Sequence, residues 1–73
     1  MEYKLSYIQN LLSEQNYLEF DKVLTDMLKA INNKEKIEII DSQGQVSSLI
    51  TCWDELEDFK KIMIQIYGIF GYF

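Results

Sequence analysis

The last part of the chain, residues 62–73, carries no charged side chain, although the protein has only 73 residues in total. Gln65 is its one strongly polar side chain, and aromatic residues crowd toward its end. An apolar run of this size in so short a chain constrains the whole fold. It supplies either the central element of the core or an exposed face, and contiguous exposed apolar patches usually mark interfaces.

The size of the chain predicts a single domain over residues 1–73. A core this small rarely contributes more than about 3–5 kcal/mol, and disulfides, metals or self-association commonly add to it. Cys52 is the only cysteine and the chain has no histidine. A disulfide framework is therefore excluded and a zinc site is disfavoured, so we expect no cofactor. Stability must come from close packing or from self-association.

The charge balance disfavours direct binding to nucleic acid. Seven lysines face twelve acidic residues, which gives a net charge of −5, and the chain has no arginine. A nucleic-acid binder is expected to show a basic patch. The lack of Arg, His and Pro is typical of an A+T-rich coding sequence, which points to a low-GC bacterium or its phage.

Targeting signals are not evident in the sequence. No basic region followed by an apolar stretch opens the chain, which argues against a signal peptide. The apolar run 62–73 is shorter than the roughly 20 residues that span a bilayer, and a lone cysteine suits a reducing compartment. We therefore expect a cytoplasmic protein that does not contact membranes.

The first half of the chain predicts two helices joined by a short connection. Apolar residues at three- and four-residue steps begin at Leu5, and a second amphipathic stripe runs from Phe20 to Ile31. Asn16 is a suitable N-cap for the second helix, and Glu19 stands three residues later, as in a capping box. Asn32 and Asn33 are expected to end it.

The middle of the chain changes to a pattern typical of strands. Residues 36–41 are rich in isoleucine, residues 42–45 have turn composition with Gly44, and residues 46–51 suit a return strand. The alternative is one long helix from Val46 to Phe70, which makes the protein an all-α three-helix bundle. We favour the β-hairpin because Val, Ile, Thr and Cys are poorer helix formers than Leu or Ala.

A final helix is predicted from about Cys52 to Phe70. Thr51 to Asp54 resembles a capping box that starts it. Its apolar stripe consists of Leu56, Phe59, Met63, Ile66 and Phe70. The predicted fold class is therefore α+β, a small domain with the order helix–helix–β-hairpin–helix.

Catalytic chemistry finds little support in the sequence. General acid–base catalysis at neutral pH most often uses histidine, which is absent. A nucleophilic Cys52 has no His or Arg to activate it, so we expect a buried or half-buried small apolar residue there. The three glycines match no phosphate-binding loop. We predict that the protein is not an enzyme.

A cluster of carboxylates lies at the start of the final helix. Acidic residues there stabilise the helix dipole and keep a small protein in solution. The same cluster is also a candidate protein-binding surface, and it is a candidate mimic of nucleic-acid phosphates. Its spacing lacks the pattern of a calcium loop.

These features predict a small acidic interaction module that binds another protein and inhibits or regulates it by occlusion, as inhibitors encoded by phages and mobile elements do. The alternative is a structural subunit that self-assembles through its apolar C-terminal helix, for example as a homodimer. The residues predicted to contact the partner are acidic or aromatic: Asp54, Glu55, Glu57, Asp58, Tyr67, Phe70, Tyr72 and Phe73.

Overall fold

Three helices pack on a three-stranded sheet in the part of the chain that the structure, a computed structural model, describes, which is residues 1–67. The elements in chain order are β1 (Glu2–Lys4), α1 (Leu5–Ser13), α2 (Tyr17–Asn32), β2 (Ile37–Ile40), β3 (Val46–Ile50) and α3 (Trp53–Ile66). The predicted α+β class and the order helix–helix–β-hairpin–helix are confirmed. The all-α alternative is wrong because β2 and β3 form an antiparallel pair.

The strand β1 was not predicted from the sequence. It pairs with β2, so β2 is the central strand of the sheet. β1 runs parallel to β2, with Tyr3 opposite Ile39, and the Glu38 N–H donates to the Met1 carbonyl at 2.9 Å. Three residues with a single apolar side chain are too few to show a strand alternation. The parallel pairing depends on α1 and α2 bringing the two segments together.

The sheet buries one face under the helices. Ile37 and Ile39 of β2 are fully buried, and Ile50 of β3 pairs with Ile37 on the same face. The helices contribute the remaining buried side chains of this core: Ile8, Leu11, Leu12, Phe20, Val23, Met27, Ala30, Leu56, Phe59, Met63 and Ile64. The opposite face of the sheet carries Val46 and Leu49, which are about half exposed.

The structure agrees with two local predictions, the N-cap of α2 and the turn of the β-hairpin. Asn16 is the N-cap of α2, and its Oδ1 accepts a hydrogen bond from the Glu19 N–H at 3.4 Å. In the hairpin loop, Asp41 Oδ1 accepts from the N–H groups of Gln43 and Gln45, each at 2.9 Å. Gly44 has a φ of +79°, a conformation that glycine adopts without steric cost.

The predicted end of the last helix is wrong. α3 ends at Ile66, with Tyr67 as its C-cap, four residues before the predicted end at Phe70. Phe70, Tyr72 and Phe73 lie outside the described residues.

We expect Leu12→Ala to lower the free energy of unfolding by about 2–5 kcal/mol, because Leu12 is only 2% exposed and its loss leaves a cavity. Leu18→Ala is the matched control, since Leu18 is also helical but 77% exposed, and its effect should stay within about 0.5 kcal/mol. Urea denaturation followed by circular dichroism measures both. Equal losses in the two variants would contradict the assigned core.

Candidate interaction surface

Helix α3 has one buried side and one open side. Leu56, Phe59 and Met63 point into the core. Ile62 and Ile66 lie on the open side and are 55% and 68% exposed. The expectation that Ile66 belongs to the core stripe is therefore wrong, because α3 packs on α2 and β3 and can bury only the side that meets them.

Ile62 and Ile66 border a groove between α3 and β3, which we call the α3–β3 groove. Its volume is about 460 Å³. Phe59 and Met63 line it as buried side chains, and Ser47, Ser48 and Leu49 of β3 border its other side. Leu5 and Gln9 of α1 complete the lining, so three separate elements form this groove.

The acidic cluster is distributed around α3 rather than gathered on one face. Glu55 and Asp58 line the α3–β3 groove, and Glu57 lines a different groove between α3 and α2. Asp54 lines neither of these two grooves. Four carboxylates that diverge in this way do not form a continuous row like the phosphates of a nucleic-acid strand. The arrangement gives no support to the mimic interpretation.

Asp58, Ile62 and Ile66 follow one another at four-residue steps, so they form a single stripe along α3. All three are exposed, and all three line the α3–β3 groove. The groove therefore has an acidic end near the start of α3 and an apolar end near Ile66. A surface of this kind can hold an apolar side chain and orient a cationic one beside it.

Glu55 has a local structural role at the start of α3. Its Oε1 accepts hydrogen bonds from Thr51 Oγ1 at 2.6 Å and from the Thr51 N–H at 2.9 Å. These bonds, that of the Thr51 hydroxyl first, lower the pKa of Glu55 from its ordinary value because they stabilise the charged carboxylate. The predicted capping box from Thr51 to Asp54 is wrong, since the N-cap is Cys52 and the residue that reaches back is Glu55.

Cys52 is exposed, so the expectation of a buried or half-buried residue is wrong. Its Sγ lies 3.5 Å from Glu55 Oε1 and donates a weak hydrogen bond to it. As the N-cap, Cys52 precedes the first turn of α3 and lies outside the core cluster of residues 1–67.

A second groove lies on the other side of α3, against α2. Leu24 and Leu28 line it from α2, and Trp53 and Leu56 line it from α3, around a volume of about 420 Å³. Trp53 is 55% exposed there. This groove is more polar in lining than the α3–β3 groove, since Asp21, Thr25, Glu57 and Lys60 also face it.

Of the four aromatic residues predicted to contact a partner, the structure describes Tyr67. Tyr67 is half-buried and packs against the core, so part of its ring already has an intramolecular role. Phe70, Tyr72 and Phe73 belong to residues 68–73, which the structure does not describe. Their predicted contact with a partner stays a prediction.

Sequence reasoning missed Leu49 and Ile66 as surface residues. The four-residue spacing places Ile66 on the same side of α3 as Asp58 and Ile62, but only the packing of α3 against α2 and β3 decides that this side stays open. The exposure of Leu49 had no such signal, since it depends on Leu49 pairing with Glu38 on the face of the sheet turned away from the helices.

Within the described residues, the side chains of His, Cys, Asp and Glu form no group of three or more that could hold a metal ion. Residues 1–67 also include no helix that is both long and apolar enough to cross a membrane.

Comparisons with protein-family models, with curated proteins and with solved structures find no match to this chain. The role of each residue therefore rests on the geometry described above.

We expect Glu55→Gln to destabilise the protein at neutral pH, because the amide accepts from Thr51 without the charge that strengthens these hydrogen bonds. The pKa of Glu55 is lowered from 4.5 in the folded state, so its stabilisation is present above that value and is lost as pH falls through the folded-state pKa. The stability gap between wild type and variant should therefore narrow in acid. Urea midpoints measured at a series of pH values test this.

Asp54→Asn is the matched control, since it removes a carboxylate from the same helical turn without touching Thr51. A loss as large as that of Glu55→Gln would show that the helix dipole, rather than the Thr51 contact, accounts for the effect. A gap that does not change with pH would also contradict the assigned role of Glu55.

Proposed function

We propose that this protein is a small acidic, non-enzymatic interaction module that binds another protein and inhibits or regulates it by occlusion. The observation that carries the proposal is the exposed apolar stripe of Ile62 and Ile66 beside the α3–β3 groove. Two isoleucines that are more than half exposed on one helix face, beside a groove, are typical of an interface.

The acidic end of the groove adds orientation to this apolar contact. Asp58 is exposed and lies one turn before Ile62 on the same side of α3. A partner that presents an apolar side chain beside a lysine or arginine matches both ends of the groove. Complementary charge of this kind chiefly speeds association and sets the docking direction, while the apolar contact supplies most of the affinity.

Occlusion is the mode of action that suits a chain of this size. With 73 residues and a net charge of −5, the protein is small enough to act by covering a surface of its partner. Phe70, Tyr72 and Phe73 follow α3 closely in the chain and supply further aromatic groups for such an interface. A protein of phage or mobile-element origin that inhibits a host or defence protein, acting in the cytoplasm, fits this proposal.

The decisive experiment compares the wild-type chain with Ile66→Glu. Each protein is immobilised and used to capture a partner from a lysate of the organism that carries the gene, and the captured protein is purified and titrated by calorimetry. We expect Ile66→Glu to weaken binding by about tenfold or more, because it places a charge in the apolar contact. Stability should change by no more than about 0.5 kcal/mol at this exposed position.

Leu18→Glu is the control, since Leu18 is 77% exposed on α2 and does not line the α3–β3 groove. It should leave the affinity unchanged. Binding that is equally strong in all three proteins would reject this surface, and a partner whose activity is unaffected at saturation would reject occlusion. Apolar docking should respond little to salt, whereas charge mimicry should weaken steeply.

The second candidate function is a structural subunit that assembles with copies of itself. It is favoured by one observation, the position of β3 at the edge of the sheet directly beside Ile62 and Ile66. Charged residues and proline usually keep edge strands from pairing with other chains. Residues 46–50 of this edge contain neither.

Sedimentation equilibrium over a wide concentration range separates the two candidates. The interaction module predicts a monomer or a weakly associating dimer. Self-assembly predicts a stable dimer or larger species that Leu49→Lys dissociates, because a charge at the edge of β3 opposes pairing. A stable dimer that resists this substitution would exclude assembly through β3.

A further inference from the structure

We infer that β3 accepts an extended segment of the partner protein as an added strand, which lies along the α3–β3 groove. The segment carries apolar side chains at alternate positions and a lysine or arginine that faces Asp58. Its conformation and chemistry follow from the edge of β3 and from the groove, whereas the existence of a partner rests on the proposed function.

The edge of β3 that faces away from β2 is open to pairing within residues 1–67. The strand order is β1–β2–β3, so β3 has a neighbouring strand on one side. Backbone N–H and C=O groups along such an edge can pair with a strand of another chain. Residues 46–50 contain no charged side chain that would repel the incoming strand.

The α3–β3 groove runs along the backbone of this edge. Ser47, Ser48 and Leu49 all border it. Side chains of consecutive strand residues point to opposite faces of the sheet, and Leu49 pairs with Glu38 on the face turned away from the helices. Three consecutive residues can border one groove because it follows the edge of the strand. Paired strands lie about 4.8 Å apart, so an added strand occupies the space between β3 and α3.

The helix-facing side of an added strand contacts apolar side chains. Every second side chain of that strand points toward the helices. On this side the groove is lined by Ile62 and Ile66, which are more than half exposed, and by the buried Phe59 and Met63. Covering the two isoleucines removes apolar surface from water, which favours binding. The partner segment therefore carries apolar residues at alternate positions.

The charges of the groove favour a cation at one of these positions. Among residues 1–67, the charged side chains that line the groove are Glu55 and Asp58, and both are acidic. Glu55 accepts hydrogen bonds from Thr51, whereas Asp58 is exposed. A lysine or arginine of the partner segment can pair with Asp58, and this pairing sets the position of the segment along the groove.

The stretch of β3 available for pairing is short. A bulge at Ser47 interrupts the register, since Ser47 lies between two residues that pair with adjacent residues of β2. Bulges restrict pairing at the edge of a sheet. At the other end of β3, the Thr51 N–H already donates to Glu55. Residues 48–50 remain, so the side-chain contacts in the groove supply most of the affinity.

A second copy of this chain suits the edge less well than a different protein does. Two copies paired through β3 each contribute residues 46–50, which contain no lysine or arginine to face Asp58. Ser48 pairs with the buried Ile39, so a β3 strand places a serine on its helix-facing side. Each copy also carries a net charge of −5, and like charges repel.

Nuclear magnetic resonance of the full chain with a synthetic peptide tests strand addition. The probe is the capped heptapeptide Thr-Lys-Thr-Val-Thr-Ile-Thr, whose lysine, valine and isoleucine share one face when it is extended. We expect it to shift the methyl resonances of Ile62 and Ile66. We also expect it to slow hydrogen exchange of the amides in residues 48–50 that point away from β2.

The same peptide methylated at every backbone nitrogen is the matched control, because it keeps the side chains and has no N–H donor. It should not slow this exchange. If the unmodified peptide at millimolar concentration leaves the exchange unchanged, or if the methylated peptide slows it equally, the inference is overturned.

Two variants test the side-chain contacts. Asp58→Asn should lower the affinity for the lysine peptide about two- to fivefold, as loss of an exposed ion pair does. It should leave unchanged the affinity for a peptide with glutamine in place of lysine. Ile66→Ser should weaken both peptides. Leu18→Ser is the control and should weaken neither, since Leu18 is exposed and lies outside the groove. Equal effects of Asp58→Asn on the two peptides would reject the cation.

Hydrogen exchange without peptide identifies other occupants of the edge. Pairing with β2 protects alternate amides of β3. Slow exchange of every amide in residues 48–50 before peptide is added therefore overturns the inference. If this protection is lost on dilution, a second copy covers the edge. If it is independent of concentration, the chain covers its own edge.

The same measurements separate strand addition from the proposed function. If strand addition fails while Ile66→Glu still loses a captured partner, the partner binds the groove in another conformation and the proposed function stands. If the peptide pairs with β3 but the chain captures no partner, the proposed function fails and β3 remains an acceptor for an added strand.

Discussion

The central strand β2 is the element on which the rest of the structure depends. It pairs with β1 in parallel and with β3 in antiparallel orientation. Its inward side chains, Ile37 and Ile39, are fully buried beneath the helices. A core of this size has no disulfide to support it, so its stability comes from apolar burial and from satisfied backbone groups. All three helices lie against this one sheet.

Helix α3 shows how packing creates a surface. It contacts α2 on one side and β3 on another, and those contacts bury Leu56, Phe59 and Met63. A helix held by two neighbours keeps the remaining side open, whatever residues it carries there. Ile62 and Ile66 are on that side and stay exposed. The α3–β3 groove is the result, and it gives this acidic protein an apolar contact next to Asp58.

The start of α3 illustrates how a local signal can be assigned to the wrong partner. The sequence around Thr51 and Asp54 predicted a capping box, and a helix does begin at this point. Thr51 instead donates from both its hydroxyl and its N–H to Glu55, one residue beyond Asp54, so Glu55 holds the helix start as well as lining the groove. A single Glu has two roles there, and only the positions of its atoms reveal this.

The sequence by itself determined the elements whose signals are local. The Asn16 cap, the loop from Asp41 to Gln45 and the amphipathic stripe of α2 each follow from side chains within a few residues of one another. Tertiary structure alone decided the strand β1, the exposure of Cys52 and the exposed position of Ile66. β1 exists because Tyr3 meets Ile39 across the sheet. Ile66 is open because no described element covers that side of α3. Both depend on contacts between residues distant in the chain, which periodicity and residue preference do not encode.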